Sequence, residues 1–375
     1  MNKVIYITYQ VFPNYKANTI QTIRMLEHFK LEGIDVELIY PDRKPPVENI
    51  SIEEFYEIEN SFKISKTPHY LPFDKFKYFN RFFFIISSLL WSFYVVYKKT
   101  KNLDEDSYYM TRTNWILLFL SMRNKKIIYE CHKYSKIEKL VLNFIKTKKQ
   151  IILIFTNENL RSTFKLSNNL LKNSLILPSS FDSRLFKNSA LNKEKNSVIF
   201  SGNLKRFNKI REIEFLIDAF SDLRLQEYKL KIIGGPNNVA EYFRNNFPSK
   251  NIFFLGNLSQ KKVIEAMCSS EIGILINPPD EHSKLFTSPI KYFEYLKAKL
   301  KILSVNYDSH INLPMQNNMY YFNFGNKEEF VNELLSLSDK KFNTEATIDN
   351  FSYKERVKNI LAQVARLEGL EPPTL

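Results

Sequence analysis

The stretch F-T-S-P-I-K-Y-F-E-Y-L at residues 286–296 holds a serine, a proline, a lysine and a glutamate at spacings that suit anion and sugar chemistry. Thr287 or Ser288 is expected to cap a helix. Pro289 then takes a first-turn position where no amide is lost, and Tyr292, Phe293 and Leu296 supply an apolar face. The free amides from Ser288 through Ile290 to Lys291 stand at the positive end of the helix dipole with the Lys291 ammonium beside them, a phosphate cradle. Glu294 lies about a turn further on, placed for the two hydroxyls of a ribose. The stretch reads as a site for a nucleoside diphosphate. Its plainer reading is an amphipathic helix with a surface Glu and Lys.

Other signals are set aside. Asp104-Glu105-Asp106 imitates a D-x-D metal site but is one string in a polar loop, and a solvated turn is expected. G-x-G-x-x-G and G-x-x-x-x-G-K-[ST] are absent, against dinucleotide oxidoreductases and P-loop enzymes, and no Cys or His cluster has zinc-ligand spacing. No metal site is expected. Cys131 and Cys268 lie far apart in core-like sequence, as in a reduced cytoplasmic protein. The first residues run straight into a strand pattern, with no sign of a secretory signal. The excess of 54 Lys and Arg over 40 Asp and Glu, a net +14, implies an anionic partner. The aromatics fall in apolar core patterns rather than among Lys and Arg on one face, which argues against nucleic acid.

These residues need elements to carry them, and 375 residues suffice for two domains, each with its own core. V-I-Y-I-T-Y-Q (3–9), a helix at 18–31 capped by Asn18 or Thr19, and V-E-L-I-Y (36–40) form an opening βαβ unit. After a polar stretch with one short strand come an aromatic-rich helix near 75–100 and further βα alternation to 174–178. Residues 179–196 read as a polar linker, after which the alternation restarts with V-I-F-S-G (198–202). The expectation is an α/β chain of two Rossmann-like domains facing across a cleft: 1–180, 197–350, and a helix in 351–375 packing back on the first. The 75–100 helix, with Lys75, Lys77, Arg81, Lys98 and Lys99 bracketing residues 82–97, has two readings: core burial, or peripheral contact with an anionic membrane.

The ordered segments K-A-N-T-I-Q-T-I-R-M-L, Y-Y-M-T-R, I-I-Y-E-C-H, L-P-S-S-F-D-S-R-L-F, V-I-F-S-G-N-L, K-I-I-G-G, I-F-F-L-G and S-P-I-K-Y-F-E-Y-L together resemble the retaining family 4 glycosyltransferases of GT-B fold, which include bacterial capsule and lipopolysaccharide enzymes. The resemblance implies transfer of a sugar from a UDP-, GDP- or other nucleotide sugar to a glycan or lipid-linked glycan, without a cofactor. It places the enzyme in the cytoplasm or peripherally on the inner face of the cytoplasmic membrane.

Carried over by position, Glu294 matches the second glutamate of the family's E-x7-E motif, whereas the first falls at Phe286. Asp280, Glu281 and Ser283 are nearby substitutes for it. Lys205, Arg206 and Lys209 follow the G-N-L strand end where the family grips the diphosphate, with Arg206 and Lys209 preferred as catalytic cations. Gly202, Asn203, Gly234 and Leu258 fall at further donor-binding positions, with residues Ser288, Pro289, Ile290 and Lys291. His132 matches the histidine that holds a donor-sugar hydroxyl, and Glu130 is expected to orient backbone rather than act as base. Asn18, Thr19 and Arg112 are expected on the acceptor side. The Phe286 departure sustains an alternative, a catalytically inactive nucleotide- or sugar-binding protein of the same fold.

Overall fold

The computed structural model describes residues 1–69, 80–100, 106–187, 192–206, 209–210, 212–344 and 347–370, with the side chains of residues 80, 81, 206, 209 and 210 left aside. The chain divides into two compact units, one of Met1–Pro178 with Tyr353–Leu375, the other of Ser179–Ser352.

The first unit is built on seven parallel strands: β1 (Lys3–Ile7), β2 (Asp35–Pro41), β3 (Lys63–Thr67), β4 (Ser107–Thr111), β5 (Lys126–Cys131), β6 (Ile151–Phe155) and β7 (Ser174–Ile176). Their order is β3-β2-β1-β4-β5-β6-β7. Strands such as β6, I-I-L-I-F, are apolar at every position because helices cover both sheet faces. The order reverses beside β1, which pairs with both β2 and β4. Such a reversal opens a crevice at the carboxyl ends of the strands, where ligands of open α/β sheets bind.

The second unit repeats the plan with β8 (Ser197–Ser201), β11 (Lys229–Ile233), β12 (Ile252–Gly256), β13 (Ile272–Leu275), β14 (Lys301–Val305) and β15 (Met319–Phe322), in the order β12-β11-β8-β13-β14-β15. A separate antiparallel hairpin, β9 (Lys205–Arg206) with β10 (Lys209–Ile210), projects after β8. The reversal falls between β8 and β13.

Several expectations need correcting. The first helix runs Ala17–Leu31 from a cap at Lys16, so Asn18 and Thr19 sit inside its first turn. Residues 179–187 are no solvated linker: Ser179, Ser180, Phe181 and Asp182 are buried in the second unit, and Phe181 bridges to Ser352. The hairpin, the Asn237–Asn246 helix and β15 had no counterpart in the sequence reading. The aromatic-rich helix spans Asn80–Lys99, and Lys75 and Lys77 lie outside the described residues. Core burial holds for one face of it, with Trp91, Val95 and Val96, whereas Phe82, Leu90 and Phe93 on the other face are exposed.

The carboxyl-terminal helix Tyr353–Leu367 belongs to the first unit. Val357, Ile360 and Val364 recur on one face and pack with Met25 and Phe29 of the Ala17–Leu31 helix. Ile360 is fully buried, so Ile360→Ala is expected to lower the unfolding free energy by about 2–4 kcal/mol, measured by urea titration.

Candidate functional site

In the second unit the strand ends carry glycine where backbones crowd. Gly234 follows β11 at φ +145°, and a Cβ there would collide with the Gly202 carbonyl at the end of β8. The Gly202 amide donates to the Ile233 carbonyl at 2.9 Å, the Leu204 amide to Gly235 at 2.7 Å, and the Gly234 amide to Gly256 at 2.8 Å. Gly202 and Gly234 therefore lie together at the carboxyl edge of the sheet, with Gly256 beside them. Asn203 turns the chain into the hairpin, its side-chain oxygen accepting from the Lys205 amide at 3.0 Å. Lys205 is exposed, and only the backbone of Arg206 and Lys209 is described. Leu258 is half-buried against the core cluster that contains Phe293.

The helix Ile290–Lys297 leaves from the β13 side of the reversal. Neither Thr287 nor Ser288 caps it. The Ser288 hydroxyl accepts the Ser179 amide at 2.9 Å, the Thr287 hydroxyl donates to the His282 carbonyl at 3.0 Å, and Pro289 stands at the cap without a side-chain bond. The first-turn amides of Ile290 and Lys291 are thereby left to the intrinsic lack of partners at a helix start. Lys291 and Glu294, expected to hold separate groups, meet: the ammonium donates to the Glu294 carboxylate at 2.5 Å. Glu294 is only 3% exposed and is no surface residue. Phe286 is buried at the end of the π-helical turn His282–Phe286. Of its nearby substitutes, Asp280 accepts the Ser283 amide at 2.9 Å and hydroxyl at 3.0 Å, which fixes the turn, while Glu281 is exposed.

A residue missed in the sequence holds this helix in place. β8 and β13 pair only at Val198 with Ile272 and Ile199 with Gly273, and beyond that the Tyr295 hydroxyl accepts the Ser201 amide at 3.0 Å. The Tyr295 ring occupies the space a side chain at 273 would need. A glycine inside an apolar strand was the available signal.

In the first unit the strand ends converge on Glu130, which is 1% exposed. Arg112 Nε and Arg356 each donate to it at 2.6 Å. Burial pushes the Glu130 carboxyl up, but the two guanidiniums outweigh it and hold the group well below the usual range. Arg112, expected to face an acceptor, is thus spent on Glu130 and on the Gln21 side-chain oxygen at 3.0 Å, with the Asn18 carbonyl at 3.5 Å. The Asn18 side chain is exposed. Thr19 is buried and donates to the Asn14 and Lys16 carbonyls, so it is structural. Arg356 was missed because its partner lies 226 residues away.

His132 Nε2 lies 3.9 Å from Glu130, buried and without a hydrogen-bond partner among the described residues. Burial and the neighbouring Arg112 lower its pKa to about 4. At neutral pH it is an uncharged imidazole able to meet a hydroxyl. Asp104 and Glu105 lie outside the described residues, and Asp106 is 3.8 Å from Lys126.

The profile of the family described as glycosyl transferases group 1 matches residues 195–340, nearly the whole second unit. No curated protein sequence matches the chain. Among solved structures, a complex of S. aureus TarM with fondaparinux, alpha-GlcNAc-glycerol and UDP superposes with a TM-score of 0.68 at 11% identity, covering 97% of this chain and 100% of that one. The fold is that of the GT-B glycosyltransferases. The α,α-trehalose-phosphate synthase (UDP-forming) from Burkholderia vietnamiensis gives 0.67 at 10% identity, over 98% of this chain and 100% of that one. The lipopolysaccharide outer core galactosyltransferase WaaB, apo form, gives 0.58 at 13%, over 96% and 99%. At such identities the likeness is one of fold.

Two residues of these networks are open to test. Tyr295→Phe leaves the Ser201 amide without its partner, and a loss of about 1–3 kcal/mol in urea unfolding is expected. For His132, a free imidazole takes its proton near 6.5 but the folded one only near 4. The unfolded chain binds the extra proton in that window, so His132 withdraws stability as pH falls through it. The stability difference between wild type and His132→Asn is expected to shift in favour of the variant from neutral pH down to about 4.

Proposed function

We propose that the chain is a glycosyltransferase that retains anomeric configuration, taking a nucleoside diphosphate sugar at the second unit and passing the sugar to a glycan or lipid-linked glycan of surface polysaccharide on the cytoplasmic side of the membrane. The observation that carries the reading is the Glu294–Lys291 pair, a buried carboxylate one turn behind a helix start. A buried ion pair is poor evidence of stability by itself. A donor would exchange the pair for better partners, its phosphate drawing Lys291 to the helix start while Glu294 accepts the ribose hydroxyls. Gly202 and Gly234 let the donor approach the strand ends without side-chain obstruction.

Charge grows on the leaving diphosphate as the glycosidic bond breaks. Arg206 and Lys209 on the hairpin, with Lys205, and the amides of residues 288–291 are assigned to stabilise it. The departing phosphate oxygen takes the acceptor's proton, so the sugar is attacked on the face it leaves and no protein nucleophile is used. His132, neutral and with an unsatisfied Nε2, is assigned to a donor-sugar hydroxyl. The first unit, around Asn18 and the Arg112 network, is assigned to the acceptor. No cofactor is required. The UDP in the TarM complex and the UDP-forming reaction named for the Burkholderia protein favour a uridine donor.

The buried Phe286 in place of the first motif glutamate supports a second reading, nucleotide or sugar binding without turnover. A nucleotide-release screen over several nucleotide sugars, with anomeric configuration read by NMR, separates the two. Glu294→Ala is expected to lower kcat/KM by roughly 10- to 100-fold, the scale of a lost hydrogen bond to a charged group. Inversion at the anomeric carbon, full activity of the variant, or tight binding with no turnover would each defeat the catalytic proposal.

A further inference from the structure

The Asn80–Lys99 helix already buries Trp91, Val95 and Val96 on its inner face, yet it carries large apolar side chains on its outer face as well. Ser87, Ser88 and Ser92 face the protein at 3%, 5% and 0% exposure, and the Ser92 hydroxyl is buried with no partner among the described residues. Phe82, Leu90 and Phe93 stand outward at 60%, 46% and 48%. Water selects the opposite arrangement. The apolar face continues across two neighbours. Phe93 meets Phe119 of the Asn114–Met122 helix at 5.4 Å between ring centres, and that helix packs on Lys136–Phe144, which exposes Leu140 at 68% and Phe144 at 56% one turn apart. Cations border the surface. Lys98 and Lys99 end the first helix, and a hollow of about 310 Å³ at the carboxyl ends of the other two is lined by Lys125, Lys148 and Lys149.

We propose that these three helices form a docking surface that lies flat on an anionic lipid bilayer, with the aromatic and leucine side chains at the headgroup boundary and the lysines on lipid phosphates. The bordering charge selects this occupant over a second copy of the chain, since two such faces would bring like charges together. The helix lies on the membrane rather than across it, because Trp91, Val95 and Val96 on its inner side are buried in its own unit. The inference stands apart from the catalytic reading, as it uses no residue assigned to donor or acceptor.

The test floats the purified full chain with vesicles of phosphatidylcholine alone or mixed with phosphatidylglycerol. Flotation is expected with the acidic vesicles and should weaken with salt. The double variant Leu140→Glu, Phe144→Glu, both at exposed sites, should lower the bound fraction about tenfold, as should Lys148→Glu with Lys149→Glu. Unfolding midpoints at the wild-type value show that lost flotation is not lost fold. The proposal is overturned if acidic vesicles float no protein at low salt, or if both variants bind as wild type does. It is equally overturned if light scattering finds a dimer that the Leu140, Phe144 variant splits while vesicles stay unbound.

Discussion

A carboxylate shut away from water governs the first unit. Left alone in so dry a place, Glu130 would cost several kcal/mol, and removing one partner of such a buried group is commonly worse than replacing the whole cluster by apolar side chains. Arg112 reaches it from the end of β4 and Arg356 from the carboxyl-terminal helix. Arg356 also donates to the Leu177 and Pro178 carbonyls at 2.8 and 2.6 Å. One ionised group thus ties together the strand ends, the last helix and the residues at which the chain leaves the unit. His132 inherits its electrostatics from the same cluster, since a cationic imidazole would add a further positive charge beside Arg112.

The second unit solves a related problem by shape. Its central strands part beyond Gly273, and a tyrosine hydroxyl takes the place of a ladder partner for Ser201. The ring fits because residue 273 has no side chain, and the strand ends at 202 and 234 approach because neither has one. Glu294 precedes that tyrosine in the helix. The position of this buried carboxylate is thus set by packing on its neighbour.

How much of this was legible in the sequence depended on how local its cause was. The strands of both sheets, β15 excepted, could be read because apolar runs buried on two faces, such as I-I-L-I-F, leave no competing pattern. The Asn237–Asn246 helix was not, because only Val239, Ala240 and Phe243 are buried in an otherwise polar segment. Caps were misplaced where a distant group claimed the hydroxyl, as the Ser179 amide claims Ser288. At the site, the helix start with its Lys and Glu was visible, but their mutual pairing and the burial of Glu294 were not. Arg112 was visible as a strand-end cation, yet its commitment to Glu130 depends on a helix more than two hundred residues away.

The first unit is made of two stretches of chain separated by the entire second unit. On a ribosome, β1 to β7 emerge long before the helix that supplies Arg356 and covers Met25 and Phe29. Until then Glu130 has one guanidinium instead of two, and an apolar strip lies bare to solvent. The later-made lobe, by contrast, has every strand of its sheet as soon as β15 is synthesised. The order of completion in the nascent protein therefore runs against the order of translation.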